Sequence, residues 1–238
     1  AMNVGGCDRD GLIARQSVEL LAPARDLECG RAAIDCGADA VYMGAAEFGA
    51  REAAANPLDA IAALTVYARR FWARVYVTVN TILHDHELAA AERLAWRLHE
   101  IGVDALIIQD AGLLECDLPP LPLIASTQMH NNTPEKVSFL EQVGFHRAIL
   151  AREVTLEEIR SIRQAAPTIE LEYFVHGALC VCYSGQCYLS LALGGRSGNR
   201  GQCAQPCRKP YRLEDARGRV VHERQHLLSL HDLNLSED

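Results

Sequence analysis

Four cysteines toward the C-terminal end of this 238-residue chain are the residues whose spacing most suggests chemistry. They run Cys180-x6-Cys187-x15-Cys203-x3-Cys207, with glycines at 177, 185, 194, 195, 198 and 201 that let the backbone wrap closely around an ion or cluster. Four thiolates suit tetrahedral zinc or an iron–sulfur cluster. Zinc ribbons favour paired C-x2-C knuckles, which are missing here, so the irregular spacing points toward iron–sulfur, with zinc as the alternative. Cys182 is a fifth thiol, spare or able to replace one of the four. The chain has nine cysteines, an odd number for a disulfide framework, and in a reducing compartment metal or redox chemistry is the better account of a cluster among them. Cys29, Cys36 and Cys116 read as small core residues.

Rival motifs are weaker. His222-Glu223-Arg224-Gln225-His226 is a literal H-E-x-x-H, but its surroundings read as strand, turn, strand instead of the long helix a zinc protease needs. His84-x-His86 is explained as well by solvated histidines at a helix start. The glycines at 194–201 fit neither a Walker nor a dinucleotide-binding pattern, and no G-x-S-x-G elbow occurs.

These residues need a scaffold, and the pattern from residue 18 onward supplies one. Short apolar runs alternate with amphipathic stretches at a period near 25 residues, the rhythm of βα units. Strands are expected at 18–22, 40–44, 74–80, 105–109, 123–127, 148–151, 170–175 and 227–230. Eight such strands make a parallel (β/α)8 TIM-like barrel, of fold class α/β, with the cysteine-rich, glycine-rich segment inserted after strand seven. Asp26, Asn56-Pro57, Thr133-Pro134 and Thr155 look like helix starts, and Gly37, Gly102 and Gly144 like helix stops. The expected organisation is an N-terminal tail at 1–17, a barrel at 18–176, the four-cysteine segment at 177–212, and a hairpin plus last barrel strand at 213–238. Because the chain ends where an eighth strand should hand over to its helix, a longer parent protein is expected.

Barrel sites lie at the C-terminal strand ends. The polar residues there are Tyr42, Asn80, Gln109, Thr127, Gln128, Arg152 and Glu153. A polar substrate pocket is therefore expected, with Arg152 as a carboxylate clamp through its planar fork. Glu172 and His176, just before the first cysteine, are candidates for moving protons.

The net charge of −8 argues against binding nucleic acid with the whole surface. It is uneven, however: between Arg196 and Arg224 eight Lys or Arg face three acidic residues, which suits an RNA-phosphate patch or a solvated loop equally. The sequence holds no apolar run long enough for a membrane helix and no signal-peptide pattern at its start, so a cytoplasmic protein with no membrane partner is expected.

The stretch Glu172-x-Phe174-x-x-Gly177-Ala178-Leu179-Cys180-x4-Gly185-x-Cys187-x-Leu189-Ser190 resembles the signature of the peptidase U32 family at every fixed position. ELLAPA at 19–24, CGADAVYMG at 36–44, VYVTVNT at 75–81, STQMHNN at 126–132 and LARE at 150–153 are similar to further family blocks. The family takes its name from collagenase-like proteases. Other members are associated with oxygen-independent hydroxylation of ubiquinone precursors or of RNA, at a tRNA uridine or an rRNA cytidine, with prephenate as the implicated oxygen source and a 4Fe-4S cluster required. The resemblance implies that Cys180, Cys187, Cys203 and Cys207 are the cluster ligands, Cys207 being the one that another cysteine could replace. It also implies that an RNA base is the substrate and a small carboxylate the co-substrate. A U32-type peptidase and a zinc-stabilised RNA-binding module are the alternatives.

Overall fold

The computed structural model describes residues 18–51, 54–229 and 232–234. Its main sheet is parallel and runs in chain order through β1 (Leu21–Pro23), β2 (Ala40–Ala45), β4 (Arg74–Val79), β5 (Ala105–Ile108), β6 (Leu123–Ala125), β7 (Arg147–Ile149) and β8 (Glu170–Glu172), while β3 (Ala55–Asn56) adds two residues beside the end of β2. Helices α1 (Leu27–Asp35), α2 (Leu58–Arg69), α3 (Leu88–Ile101), α4 (Pro134–Gln142) and α5 (Leu156–Ala165) fill most of the crossovers. The result is a curled, barrel-type sheet, as the βα rhythm predicts.

Residue alternation explains the two layers. On β2, β4 and β5, Val41, Met43, Val75, Val77, Val79, Leu106 and Ile108 point outward into the core shared with the helices. Ala40, Tyr76, Ala105, Ile107, Ile124 and Ile149 point inward and make a second, smaller cluster inside the curl. Fully buried side chains of this kind contribute about 1.5–3 kcal/mol each.

Local signals set the helix ends. Asp26 accepts a hydrogen bond from Cys29 N (2.9 Å), and Thr155 forms a reciprocal capping box with Glu158. Thr133 caps α4, with Pro134 opening its first turn. Asn56 departs from its expected role. Its amide donates to the carbonyls of Arg25, Gly44 and Ala54, tying β3 to the loops around it, and Pro57 precedes α2 without a side-chain cap.

The eighth strand expected at 227–230 does not form where it was placed. Residues 227–228 lie in a turn closed by Ser229 N donating to His226 O, Leu227 and Leu228 are exposed, and Leu230 lies outside the described residues. The apolar run LLSL lacks the alternation that would give it one inward face. The strand that follows, β12 (Asp232–Asn234), pairs antiparallel with β9 (His176–Ala178), away from the barrel sheet. Among the described residues, no strand bridges β8 to β1.

A charge cluster spans that seam from inside. Arg147 on β7 is 5% exposed. Its guanidinium donates to Glu19 ahead of β1 (2.6 Å), to Glu170 on β8 (2.5 and 2.8 Å) and to Glu172 (3.3 Å). It also lies 5.3 Å from the centroid of the Tyr76 ring, whose hydroxyl donates to Glu19. Burial alone would lower the Arg147 pKa, but its bonds to Glu19 and Glu170 raise it above its ordinary value. Removing the cation would leave two or three carboxylates facing one another in the curl. Arg147→Met is expected to destabilise the fold by about 3–5 kcal/mol, read as a shift in the urea midpoint at pH 7; a change below about 0.5 kcal/mol would show that the cluster does not hold the seam.

Candidate functional site at the barrel mouth

A cavity of about 260 Å³ opens at the C-terminal ends of the strands. Tyr42 and Gly44 reach it from β2, Asn80 from the end of β4, Thr127 and Gln128 from beyond β6, Arg152 from beyond β7, Glu172 from the end of β8 and Phe174 from just past it. Six of the expected site residues therefore share one cavity: Tyr42, Asn80, Thr127, Gln128, Arg152 and Glu172. Arg25 and Arg51 also line it and were not singled out from sequence, because they sit in loops beyond the strand ends. Arg51 and Arg152, together with Arg25, whose guanidinium is also paired with Asp26 (2.8 Å), give the cavity lining a positive character that suits an anion.

Each wall residue is held by its neighbours. Asn80 accepts from Ala50 N (2.9 Å) and donates to Ser126 (3.1 Å), fixing the loop that carries Arg51. Thr127 donates to Leu150 O and Asn131 donates to Ile149 O, joining the ends of β6 and β7. The Arg152 guanidinium rests 4.4 Å from the Phe174 ring centroid, an orientation that restricts it without satisfying its donors. Burial pushes the Tyr42 hydroxyl up, with Arg152 and Arg51 opposing and Glu172 adding to the rise. Burial also pushes Glu172 up to about 7, against the pull of Arg147.

Three expected site residues lie elsewhere. Gln109 is buried below the mouth, donating to Gln128 O. His176 is exposed at the start of β9 and is not among the cavity-lining residues. Glu153 follows Arg152, but its side chain turns away from the cavity and accepts from both the amide and the hydroxyl of Ser184 (3.0 and 2.9 Å).

That contact latches the cysteine segment to the barrel. Arg152 N donates to the same Ser184 hydroxyl (3.2 Å), and Gly185, at φ +73°, packs so closely that a β-carbon would collide with the Gln128 carbonyl. Farther along, Arg200 grips Glu87 through two nitrogens (2.7 and 2.9 Å) and donates to Ile82 O (2.7 Å) in the loop after β4. The segment containing the short helix α6 (Leu189–Gly194) thus docks at the rim of the barrel mouth, fastened on either side of α6.

Within it the thiols are neighbours. Gly198 packs beside Cys203 and the backbone of Cys187, and Gln205 N donates to the Cys203 sulfur (3.4 Å). Burial raises the Cys207 thiol; Arg208 opposes this, while Cys180, Cys203 and Cys187 add to it. Among the described residues, no three His, Cys, Asp or Glu side chains converge closely enough to hold an ion. Four cysteines in one segment are nevertheless a donor set of the type and number a thiolate-bound group takes, and the buried Asn199 amide nitrogen has no partner among the described residues.

The basic run is partly committed: Arg200 to Glu87, Arg212 to Glu214, Arg219 to Asp215, and Arg208 to Ser229 and Leu179 O. The H-E-x-x-H residues His222 and Glu223 lie on the exposed strand β11 (Val220–Gln225), paired in a hairpin with β10 (Tyr211–Glu214). His222 and His226 are therefore not one helical turn apart, as the strand-turn-strand pattern predicts.

The model of peptidase family U32 matches residues 25–238. The chain belongs to peptidase family U32. Among its U32 relatives is the 23S rRNA 5-hydroxycytidine C2501 synthase of Escherichia coli (strain K12), 54% identical over 92% of this chain and 34% of that protein. Another is the tRNA hydroxylation protein P1 of Bacillus subtilis (strain 168), 37% identical over 84% of this chain and 48% of that protein. The chain thus spans between about a third and about half of these relatives. A solved U32 peptidase structure has a TM-score of 0.57 at 17% identity, covering 68% of this chain and 70% of its own, a likeness of fold alone. The resemblance read from the 172–190 motif is borne out.

Gly185→Ala tests the latch. Both the positive φ and the closeness of the Gln128 carbonyl oppose a side chain there. Faster amide exchange or proteolysis confined to residues 177–210, with the barrel still protected, is expected. Unchanged protection across that segment would contradict a latched mouth.

Proposed function

We propose that this U32 chain forms the catalytic barrel of an oxygen-independent hydroxylase acting on a base in RNA, with a cytoplasmic location. In this reading Cys180, Cys187, Cys203 and Cys207 hold a 4Fe-4S cluster, and the arginine-lined cavity holds a small carboxylate oxygen donor of the prephenate type. The observation that carries the proposal is the juxtaposition of the cavity and the cysteine segment, latched together through Ser184, Glu153 and Gly185. The relatives named for rRNA and tRNA hydroxylation support it.

When bound, the cluster would supply the redox chemistry that side chains lack. The remaining work falls to the chain's own residues. Arg25, Arg51 and Arg152 would hold carboxylates, with Phe174 restricting Arg152 before the ligand arrives. The apolar floor at Ile107 and Ile149 would exclude water from one side of the ligand. Arg196, Lys209, Arg217 and Arg224, for which no ion pair is recorded among the described residues, would be available to RNA phosphates.

The test is nucleoside analysis of rRNA and tRNA from a deletion strain complemented with full-length protein. The wild type is expected to restore a hydroxylated pyrimidine such as 5-hydroxycytidine. Cys203→Ser is expected to restore none, and Arg152→Ala at least about tenfold less, the equivalent of about 1.4 kcal/mol. Identical hydroxylation with and without the gene would end the proposal.

A further inference from the structure

We propose that Glu172 takes up a proton when an anion enters the arginine-lined cavity, and as a neutral carboxyl donates a hydrogen bond to that anion. The inference rests on the reading of the cavity as a carboxylate site.

Its basis is how the charge is shared around one guanidinium. Arg147 gives its short bonds to Glu19 (2.6 Å) and Glu170 (2.5 and 2.8 Å). Glu172 receives only a 3.3 Å contact from the nitrogen that already serves Glu19. The second nearby cation, Arg74, is half-exposed and bonds to Glu19 at 3.1 Å. Three carboxylates thus compete for one buried guanidinium, and Glu172 is the least well served. Its side chain is 16% exposed, and among the described residues its second carboxyl oxygen has no recorded partner. Because Glu172 also lines the cavity, it is the one member of the cluster shared with the mouth.

The groups facing Glu172 decide the sign. Arg147 from β7 favours its charged form. Burial disfavours that form most, and Glu19 ahead of β1 and Glu170 on β8 add to this, which brings Glu172 to about 7. Tyr42 from β2 feels Glu172 as well, while Arg51 and Arg152 stand on the same wall. An incoming carboxylate neutralises those arginines and adds negative charge opposite Glu172, which raises its pKa further. The proton comes from solvent and forms the carboxyl O–H, with no redox change. Since binding favours the protonated form, affinity is level below about pH 7 and falls as pH rises above it.

Isothermal titration of full-length protein with prephenate, in bis-Tris and in Tris at equal pH, measures proton uptake from the difference in heat. At pH 7 about half a proton per ligand is expected for the wild type. Dissociation constants are expected to rise toward tenfold per pH unit between about 7.5 and 8.5. Glu172→Gln is expected to bind with no uptake and a flat pH profile. A ¹³C carboxyl titration of the free wild type, which does not depend on a folded variant, should find one glutamate titrating near 7 and shifting upward with ligand. Binding without uptake, or uptake unchanged in Glu172→Gln, would overturn the proton coupling and leave the anion site standing. No binding at any pH would overturn both.

Discussion

A buried guanidinium must be surrounded by acceptors, and much of this structure follows from how Arg147 meets that demand. Water cannot solvate it inside the curl, so Glu19, Glu170 and Glu172 turn toward it, the last two from β8 on one side of the open seam and Glu19 from the segment before β1 on the other. The same interaction links the far end of the barrel to the mouth, because Glu170 and Glu172 are two residues apart on one strand and share its inward face. A structural ion cluster and a ligand cavity therefore have one side chain in common. Burial is the first cause of the raised Glu172 pKa, and the charges beneath it, Arg147 against Glu19 and Glu170, adjust it.

The mouth has a second dependence, on the cysteine segment. Ser184 and Gly185 dock against Glu153, Arg152 and Gln128, and Arg200 docks against Glu87 and Ile82. The contacts at Ser184 and Gly185 involve backbone groups and a short hydroxyl side chain, which lose little conformational freedom on docking, while Arg200 and Glu87 add a two-nitrogen ion pair. They explain why the motif at 172–190 contains a glycine that binds nothing itself. Gly185 is needed for close approach, and Glu172 and Phe174 shape the cavity just before the chain docks at its rim.

Much of this was legible in the sequence for identifiable reasons. Short apolar runs recurring between amphipathic stretches revealed β2, β4 and β5, and Asp26, Thr133 and Thr155 marked helix starts through the hydrogen bonds they make. Polar strand ends located the cavity. The misses also have physical causes. Glu153 looked like a cavity residue because it follows Arg152, but adjacent side chains diverge and it became the latch. Asn56 looked like a cap, yet its amide found three carbonyls. Arg25 and Arg51 depend on loop paths that no periodicity encodes. Arg147 and its carboxylates could have been suspected from charged residues at inward strand positions, since a strand face that buries one charge must supply another.

The central claim, that the four thiols and the cavity make one redox site, is tested most directly by metal and acid-labile sulfide content with a visible spectrum, on full-length protein purified without oxygen. About four iron and four sulfide per chain with broad absorbance near roughly 400 nm, all lost in Cys203→Ser, is the predicted result for thiolate ligation of a 4Fe-4S cluster. Zinc alone, or iron that persists when Cys203 is replaced, would contradict it.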